Sequence, residues 1–212
     1  MESFQNIDGL VIIENLIKTI HNNKNFLSEV DGAIGDGDHG VNMDKGFTLC
    51  GERLNSDMDM TTGLDTLGNV LLMEIGGSMG PLYGSFFIEM SMASKNKTEI
   101  GKKDFAEILE GGLKGIQAFD KAKVGDKTLL DTLVPAIEAY NEAIGKGKSF
   151  ISALEDMKDA AEKGKESTKN MLAKIGRASR LGERSRGVLD AGATSCNLIL
   201  QTIADTIILL IK

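Results

Sequence analysis

The sequence predicts an all-α fold, and three observations carry that reading. Apolar residues recur at helical spacing along almost the whole chain, convincing alternating strands are absent, and the glycines gather in the connections between periodic segments. Eight helices follow, near 6–23, 40–54, 61–75, 81–95, 104–121, 128–144, 149–175 and 192–210. The first carries Leu10, Ile13, Leu16, Ile17 and Ile20 on one face. The second opens directly after an acidic, glycine-rich segment. Thr61, Asp104 and Ser149 stand as N-cap candidates for the third, fifth and seventh helices, and Pro81 suits the first turn of the fourth. Before the sixth, Asp126 and Thr128 in Gly125-Asp126-Lys127-Thr128 can accept backbone amides. The seventh repeats the pattern with Leu154, Met157, Ala161 and Gly164, and the last is strongly apolar.

No repeat, low-complexity tract or Pro/Ser-rich linker divides the chain, so residues 1–212 read as a single domain. With 42% hydrophobic and 26% charged residues it can bury a good core, and its ten methionines against eight Phe and two Tyr make that core aliphatic and adaptable. The formal net charge of −7 argues against nucleic acid as a general partner, so any phosphate ligand must be held locally. Cys50 and Cys196 make no metal-binding spacing, and the N-terminus lacks the basic-then-apolar design of a signal peptide. A reduced, cytoplasmic setting is expected, with both thiols as packing residues. The apolar stretch 198–211 is broken by Gln201 and Asp205 and is short for a bilayer span, so a buried helix and no membrane are expected.

Between Asp31 and Gly40 the chain places three carboxylates, four glycines and one of its two histidines in one turn-forming segment. Packing three anions together is unfavourable unless a cation sits among them, and an oxygen-only set without cysteine points to Mg²⁺, Mn²⁺ or Ca²⁺. Two other readings fit less well. Gly35-x-Gly37-x-x-Gly40 matches a dinucleotide fingerprint, but residues 7–30 are helically spaced where that motif needs a strand. An EF-hand begun at Asp36 fails at Gly40, Val41 and Phe47. A solvated acidic turn with a glycine cap is the plain alternative.

Three later loops suit an anion. Gly76-Gly77-Ser78-Met79-Gly80-Pro81 lets backbone amides face a phosphate at a helix start, or serves close helix packing together with Gly84; it has no Walker lysine. The segment 176–192 concentrates Arg177, Arg180, Arg184 and Arg186, whose guanidinium forks suit phosphate oxygens or solvent-exposed ion pairs with Glu183. A nucleoside diphosphate of about −3 beside three aspartates is roughly balanced by two Mg²⁺, leaving about −2 for one arginine and helix N-termini to meet.

Gly-Asp-Gly-Asp-His-Gly-Val-Asn-Met-Asp at 35–44, Gly-Gly-Ser-Met-Gly-Pro-Leu-Tyr-Gly at 76–84, Gly-Asp-Lys-Thr at 125–128, Gly-Arg-Ala-Ser at 176–179 and Asp-Ala-Gly-Ala-Thr-Ser at 190–195 occur in the order seen in one family. Over essentially its full length the chain resembles the DhaL family, the nucleotide-binding L subunits of dihydroxyacetone kinase. The resemblance implies an eight-helix antiparallel barrel with ADP and two Mg²⁺ at one end. It implies Asp31, Asp36 and Asp38 as metal ligands, and His39, Gly40, Val41 and Asn42 as the segment against the nucleotide. Ser78 and Met79 fall in its phosphate loop, Leu129 at the base, Arg177 at a nucleotide-contacting arginine, and Asp190, Ala191 and Gly192 at the last wall. Two departures stand out: relatives usually read Gly-Gly-Ala-Ser-Gly-Pro in the phosphate loop, and often have an aromatic residue where Arg180 stands.

The implied role is a phosphotransferase-system relay: ADP stays bound as a cofactor, becomes ATP on receiving phosphate from a phosphohistidine of DhaM, and serves dihydroxyacetone bound on DhaK. No catalytic base is expected from this chain, and a homodimer is a candidate assembly. The alternatives are an ATP-dependent kinase subunit with exchanging nucleotide and a nucleotide-dependent regulator of a transcription factor. His39 as a phosphohistidine carrier is a competing idea, against its use as a phosphate contact or as a hydrogen-bond donor to a metal-ligating group.

Overall fold

The structure, a computed structural model, describes residues 2–119 and 121–211. Its helices are α1 (Leu10–Gly32), α2 (His39–Gly51), α3 (Met60–Glu74), α4 (Met79–Ser94), α5 (Lys102–Phe119), α6 (Leu130–Gly145), α7 (Phe150–Ser167) and α8 (Ala191–Leu210). Each packs against the next, and α8 returns to α1, so the eight close into a ring. The expected all-α barrel is what the chain forms. One small addition is β1 (Ser3–Gln5), paired antiparallel with β2 (Glu99–Gly101) with Ser3 opposite Gly101.

Several boundaries differ from expectation. The first helix runs on to Gly32, so Asp31 belongs to its last turn and not to the loop beyond. Asp59, not Thr61, caps α3, accepting from the Thr62 amide at 2.7 Å. Thr61 instead joins Asn6 and Ser94 in a cluster of side-chain hydrogen bonds beneath the short sheet. Asp104 lies inside α5 and reaches back to accept from the Gly101 amide. Ser149 caps α7 as expected, accepting from Ser152 N at 3.0 Å. That helix stops at Ser167 and gives way to a 3₁₀ turn at Thr168–Asn170, well short of 175. The expected end of the fifth helix passes residue 120, which lies outside the described residues.

Close approach between helices explains much of the glycine inside them. A Cβ at Gly68 would meet Gly84 O at 2.8 Å, which fixes the α3–α4 crossing. Pro135 lies inside α6 and cannot donate to the carbonyl of Asp131. Gly164 of α7 sits against that freed carbonyl, where a Cβ would lie 2.3 Å from it. The core is aliphatic apart from Phe4 and two aromatic groups, Phe47 with Tyr83, Phe86 and Phe87, and Phe105 with Tyr140 and Phe150.

By length and composition α8 could cross a membrane, which the reading of 198–211 as a short segment did not anticipate. It is a core helix of the ring: Ile199, Leu200, Ile203, Ala204 and Ile207 are buried, and α1, α6 and α7 pack around it. Its hydropathy is accounted for by that position.

The connections alternate ends, as an up-and-down ring requires. At one end lie the short sheet, the Asn6–Thr61 bond and the start of α7, where the Phe150 amide donates to Glu2. At the other, the N-termini of α2, α4, α6 and α8 meet the C-terminal turn of α1, with Ile116 of α5 beside them.

Candidate functional site

That second end encloses a cavity of about 570 Å³. Its acidic wall comes from the turn after α1. The Gly35 amide bonds back to Asp31 O, and a Cβ at Gly35 would lie 2.3 Å from the Asp31 carboxylate, so only glycine lets that carboxylate cross the turn. Gly37, at φ +77°, reverses the chain. Asp31, Asp36 and Asp38 therefore converge, with ligand oxygens all within 4.8 Å of one another.

Three carboxylates this close repel by roughly 1–4 kcal/mol per pair, depending on how much water screens them. An all-oxygen set of this span matches the coordination distances of a hard divalent cation, so the residues fit the metal that the sequence suggests. The Arg177 guanidinium reaches across the mouth to Asp36 and neutralises part of the cluster.

Four helices contribute their first turns to the same lining, through His39 and Asn42 of α2, Met79 of α4, Leu130 of α6, and Ala191 and Gly192 of α8. Each such end carries about half a positive charge, part of which the chain itself meets: the His39 amide donates to the Asp31 carboxylate, the Leu130 amide to Thr128 Oγ1 and the Ala193 amide to Asp190. Gly76 and Gly77 leave open space around the loop before α4, and the Ser78 hydroxyl makes no capping bond to that helix. Gly80 and Gly84, by contrast, pack against the backbone of α3 and the residue that follows it. Both readings of this glycine-rich segment thus hold, for different glycines. Ile34, Leu82, Ile116, Leu129 and Ile175 add an apolar lining able to take a flat base.

Of the residues expected at the nucleotide, His39, Asn42, Ser78, Met79, Leu129, Arg177, Asp190, Ala191 and Gly192 line the cavity together with the three aspartates. Gly40 and Val41 do not. Gly40 is pressed against α1, where a Cβ would lie 2.0 Å from Lys24 O, and Val41 is 49% exposed on the outside of α2. Asp44, also in that motif, is buried in an ion pair with His21 and Lys24, each at 2.8 Å. Burial pushes its carboxyl pKa up, but hydrogen bonds from Lys24 and His21 outweigh this and hold it below the usual value.

The His39 ring is held from beneath. Its Nε2 lies 2.9 Å from the Ser195 hydroxyl, which is 2.7 Å from the Tyr83 hydroxyl, and both hydroxyls reach Gly192 O. Burial lowers the His39 pKa, with Asp31 pulling the other way, so the neutral imidazole is favoured. Tyr83 and Ser195 come from inside helices and carried no separate signal in sequence. Asp190 caps α8 by accepting from Ala193 N at 2.7 Å, and burial raises its pKa to about 6.

The arginine segment 176–192 holds a 3₁₀ stretch, Arg177–Ser185, broken at Gly182 and followed by Arg186. Only Arg177 of its four arginines lines the main cavity; Arg180 borders a smaller groove with Ala33, Ile34 and Leu181, and Arg186 pairs with Glu183 at 2.8 Å.

The DAK2 domain matches residues 33–205, which include Asp36 and Asp38, the glycine-rich loop before α4 and most of α8. The chain is 38% identical over 181 residues to the PEP-dependent dihydroxyacetone kinase, ADP-binding subunit DhaL, of Escherichia coli K12, covering 84% of this chain and 86% of that one. It is 36% identical over 193 residues to the PTS-dependent dihydroxyacetone kinase, ADP-binding subunit DhaL, of Lactococcus lactis, covering 89% and 91%. The fold is shared with the dihydroxyacetone kinase of C. freundii, solved with AMP-PNP and Mg²⁺, at TM-score 0.70 and 23% identity; 93% of this chain is covered and 33% of that longer one. With the DAK2 match extending over most of the chain and L subunits aligned nearly end to end, this chain belongs to the DAK2 domain family.

Proposed function

We propose that this chain is the ADP-binding L subunit of a dihydroxyacetone kinase, a phosphotransferase component that holds its nucleotide as a cofactor. The observation that carries the reading is one cavity lined both by three converging aspartates and by the first turns of four helices. Similarity to the L subunits supports it over nearly the full chain.

In this reading Asp31, Asp36 and Asp38 hold two Mg²⁺ ions. Bound ADP and Mg²⁺ supply the phosphoryl carrier and the charge neutralisation between a phosphohistidine of DhaM and dihydroxyacetone on DhaK. The chain's own residues bind and orient. The Gly76–Met79 loop and the start of α2 offer amides to phosphate oxygens, Arg177 adds a guanidinium, and Leu129 with its apolar neighbours holds the base. His39 remains a neutral, fixed contact, because its Nε2 is engaged by Ser195 and burial disfavours its charged form. The engaged Nε2 supports a binding role for it over service as a phosphohistidine carrier; the neutral state does not separate the two, since a neutral imidazole is also the form that attacks phosphorus.

The test is to desalt the purified protein extensively in Mg²⁺, denature it in acid and quantify the released nucleotide by chromatography. A stoichiometric amount of ADP is expected. Empty protein that exchanges ATP rapidly by calorimetry would refute the cofactor reading and favour an ATP-dependent subunit.

A further inference from the structure

Lys127 is the least expected side chain at this end of the ring. It precedes α6 in the left-handed region, at φ +64°, and is only 2% exposed. Buried lysines are rare unless their ammonium is fully partnered. Here the partners are backbone carbonyls: Ser185 O, Val188 O at 2.7 Å and, more distantly, Met171 O at 3.5 Å.

Two close hydrogen bonds and one long approach thus turn the ammonium toward carbonyls of the segment 171–188. Lys127 borders the cavity, but its charge is spent chiefly on that segment. Its target is the segment that carries Arg177. That segment has almost no regular structure beyond its 3₁₀ turns, so many of its carbonyls lack helical partners. Lys174 crosses the same gap twice: its N donates to Asp126 O at 3.1 Å and its Nζ to Asp126 Oδ1 at 3.2 Å. Asp131 holds the Lys127 turn itself by accepting from the Gly125 and Thr128 amides.

We propose that Lys127 is a positioning residue: its buried ammonium latches the 171–188 segment to the base of α6 and so keeps Arg177 over the cavity mouth. Resting on the L-subunit reading above, this latch sets how long nucleotide stays bound. Lys127→Met keeps the stem's volume and leaves the carbonyls without their donor. Losing charge-assisted hydrogen bonds of this kind is worth about tenfold or more in the population of the open segment.

The test reads amide hydrogen exchange in nucleotide-free protein, with the release of a fluorescent ADP analogue followed in parallel. In Lys127→Met, exchange at Ala173, Lys174 and Gly187 is expected to rise about tenfold or more while the cores of α3 and α4 stay protected. Analogue release is expected to quicken by a similar factor. A second variant, Lys127→Gly, suits the left-handed backbone and opens room for butylammonium, which is expected to restore protection where butanol does not.

Unchanged exchange at 171–188, equal rescue by butanol, or a parallel loss of protection throughout the ring would each overturn the latch. If wild-type protein binds no nucleotide, the L-subunit reading fails, while the exchange experiment still decides whether Lys127 holds the segment.

Discussion

Replacing Gly40 with alanine is a sharp test of how the site is positioned. The added Cβ would lie 2.0 Å from Lys24 O, 2.6 Å from Ser28 Oγ and 2.7 Å from Ser28 N. Real Cβ atoms essentially never come within 3.0 Å of such neighbours, and the nearest obstacle is backbone, with no flexible tip to swing aside. The helices α1 and α2 must therefore part by about 1 Å, or α2 must rotate by an equivalent amount. Overpacking of this kind costs about 1–3 kcal/mol, and a backbone-to-backbone clash belongs at the upper end. For a domain of this size that lowers Tm by about 6–12 °C. Because His39 and Asn42 flank the clash, and both line the cavity, nucleotide affinity should fall by about tenfold to a hundredfold. Differential scanning fluorimetry and titration with ADP in Mg²⁺ measure both effects. Gly145→Ala is the control, since nothing lies within 4 Å of its Cβ, and its change should stay within about 0.5 kcal/mol. A Gly40→Ala protein that melts with wild type and binds ADP equally would refute the argument that this contact sets the register of α2.

Asp36→Asn should lose Mg²⁺-dependent ADP retention and turnover in the presence of DhaK and DhaM, with little change in the melting of nucleotide-free protein; ADP surviving the desalting column would sink the metal assignment. For Asp190, whose folded pKa of about 6 exceeds its ordinary 3.8, the folded state binds the extra proton between those values, so this group's stabilisation is present below about pH 4 and declines as pH rises through 6. Asp190→Asn keeps a capping side chain and should be the more stable protein at pH 7, by the order of 1 kcal/mol, and lose that advantage at pH 4; urea melts of nucleotide- and metal-free protein at the two pH values give the comparison. Cys50 and Cys196 are buried, and burial pushes the Cys50 thiol to about 12 and raises that of Cys196, so neither should react with a thiol reagent until the protein is denatured; rapid labelling of the native form would contradict their packing role.

Helix count and order were legible because the periodic apolar residues of each segment face one shared core. The end of α1 was hidden, since 21–32 contributes only Leu27 to the fully buried apolar set and its periodic signal fades into Asn and charged residues. The over-long seventh helix has the opposite cause: Met171, Leu172 and Ile175 continue the three-and-four spacing of Ala161 and Gly164, but they belong to the irregular segment beside the cavity. Ligand chemistry declared itself locally, because Asp36 and Asp38 must sit in one short turn to meet Asp31. What supports that chemistry did not. The contact of Gly40 with Lys24, the Ser195 and Tyr83 hydroxyls behind His39, and the carbonyls that hold Lys127 join residues far apart in sequence. A local motif gives the residue type and leaves its partner unnamed.

The ring has one seam that no loop crosses, between α1 and α8, where Asn15 meets Thr206 and Thr19 meets Thr202 through side-chain hydrogen bonds. The start of α1 and the end of α8 both lie at the end away from the cavity, and the turn before α1 packs on α8. A circular permutant follows: a linker from the end of α8 to the start of β1, which lies beside β2 and the first residue of α7, with new termini cut into the tight Lys146–Lys148 turn at that same end, would keep every helix neighbour and leave the mouth clear. The same geography recommends that end of the ring for surface immobilisation, because a tether there leaves the cavity mouth facing solvent.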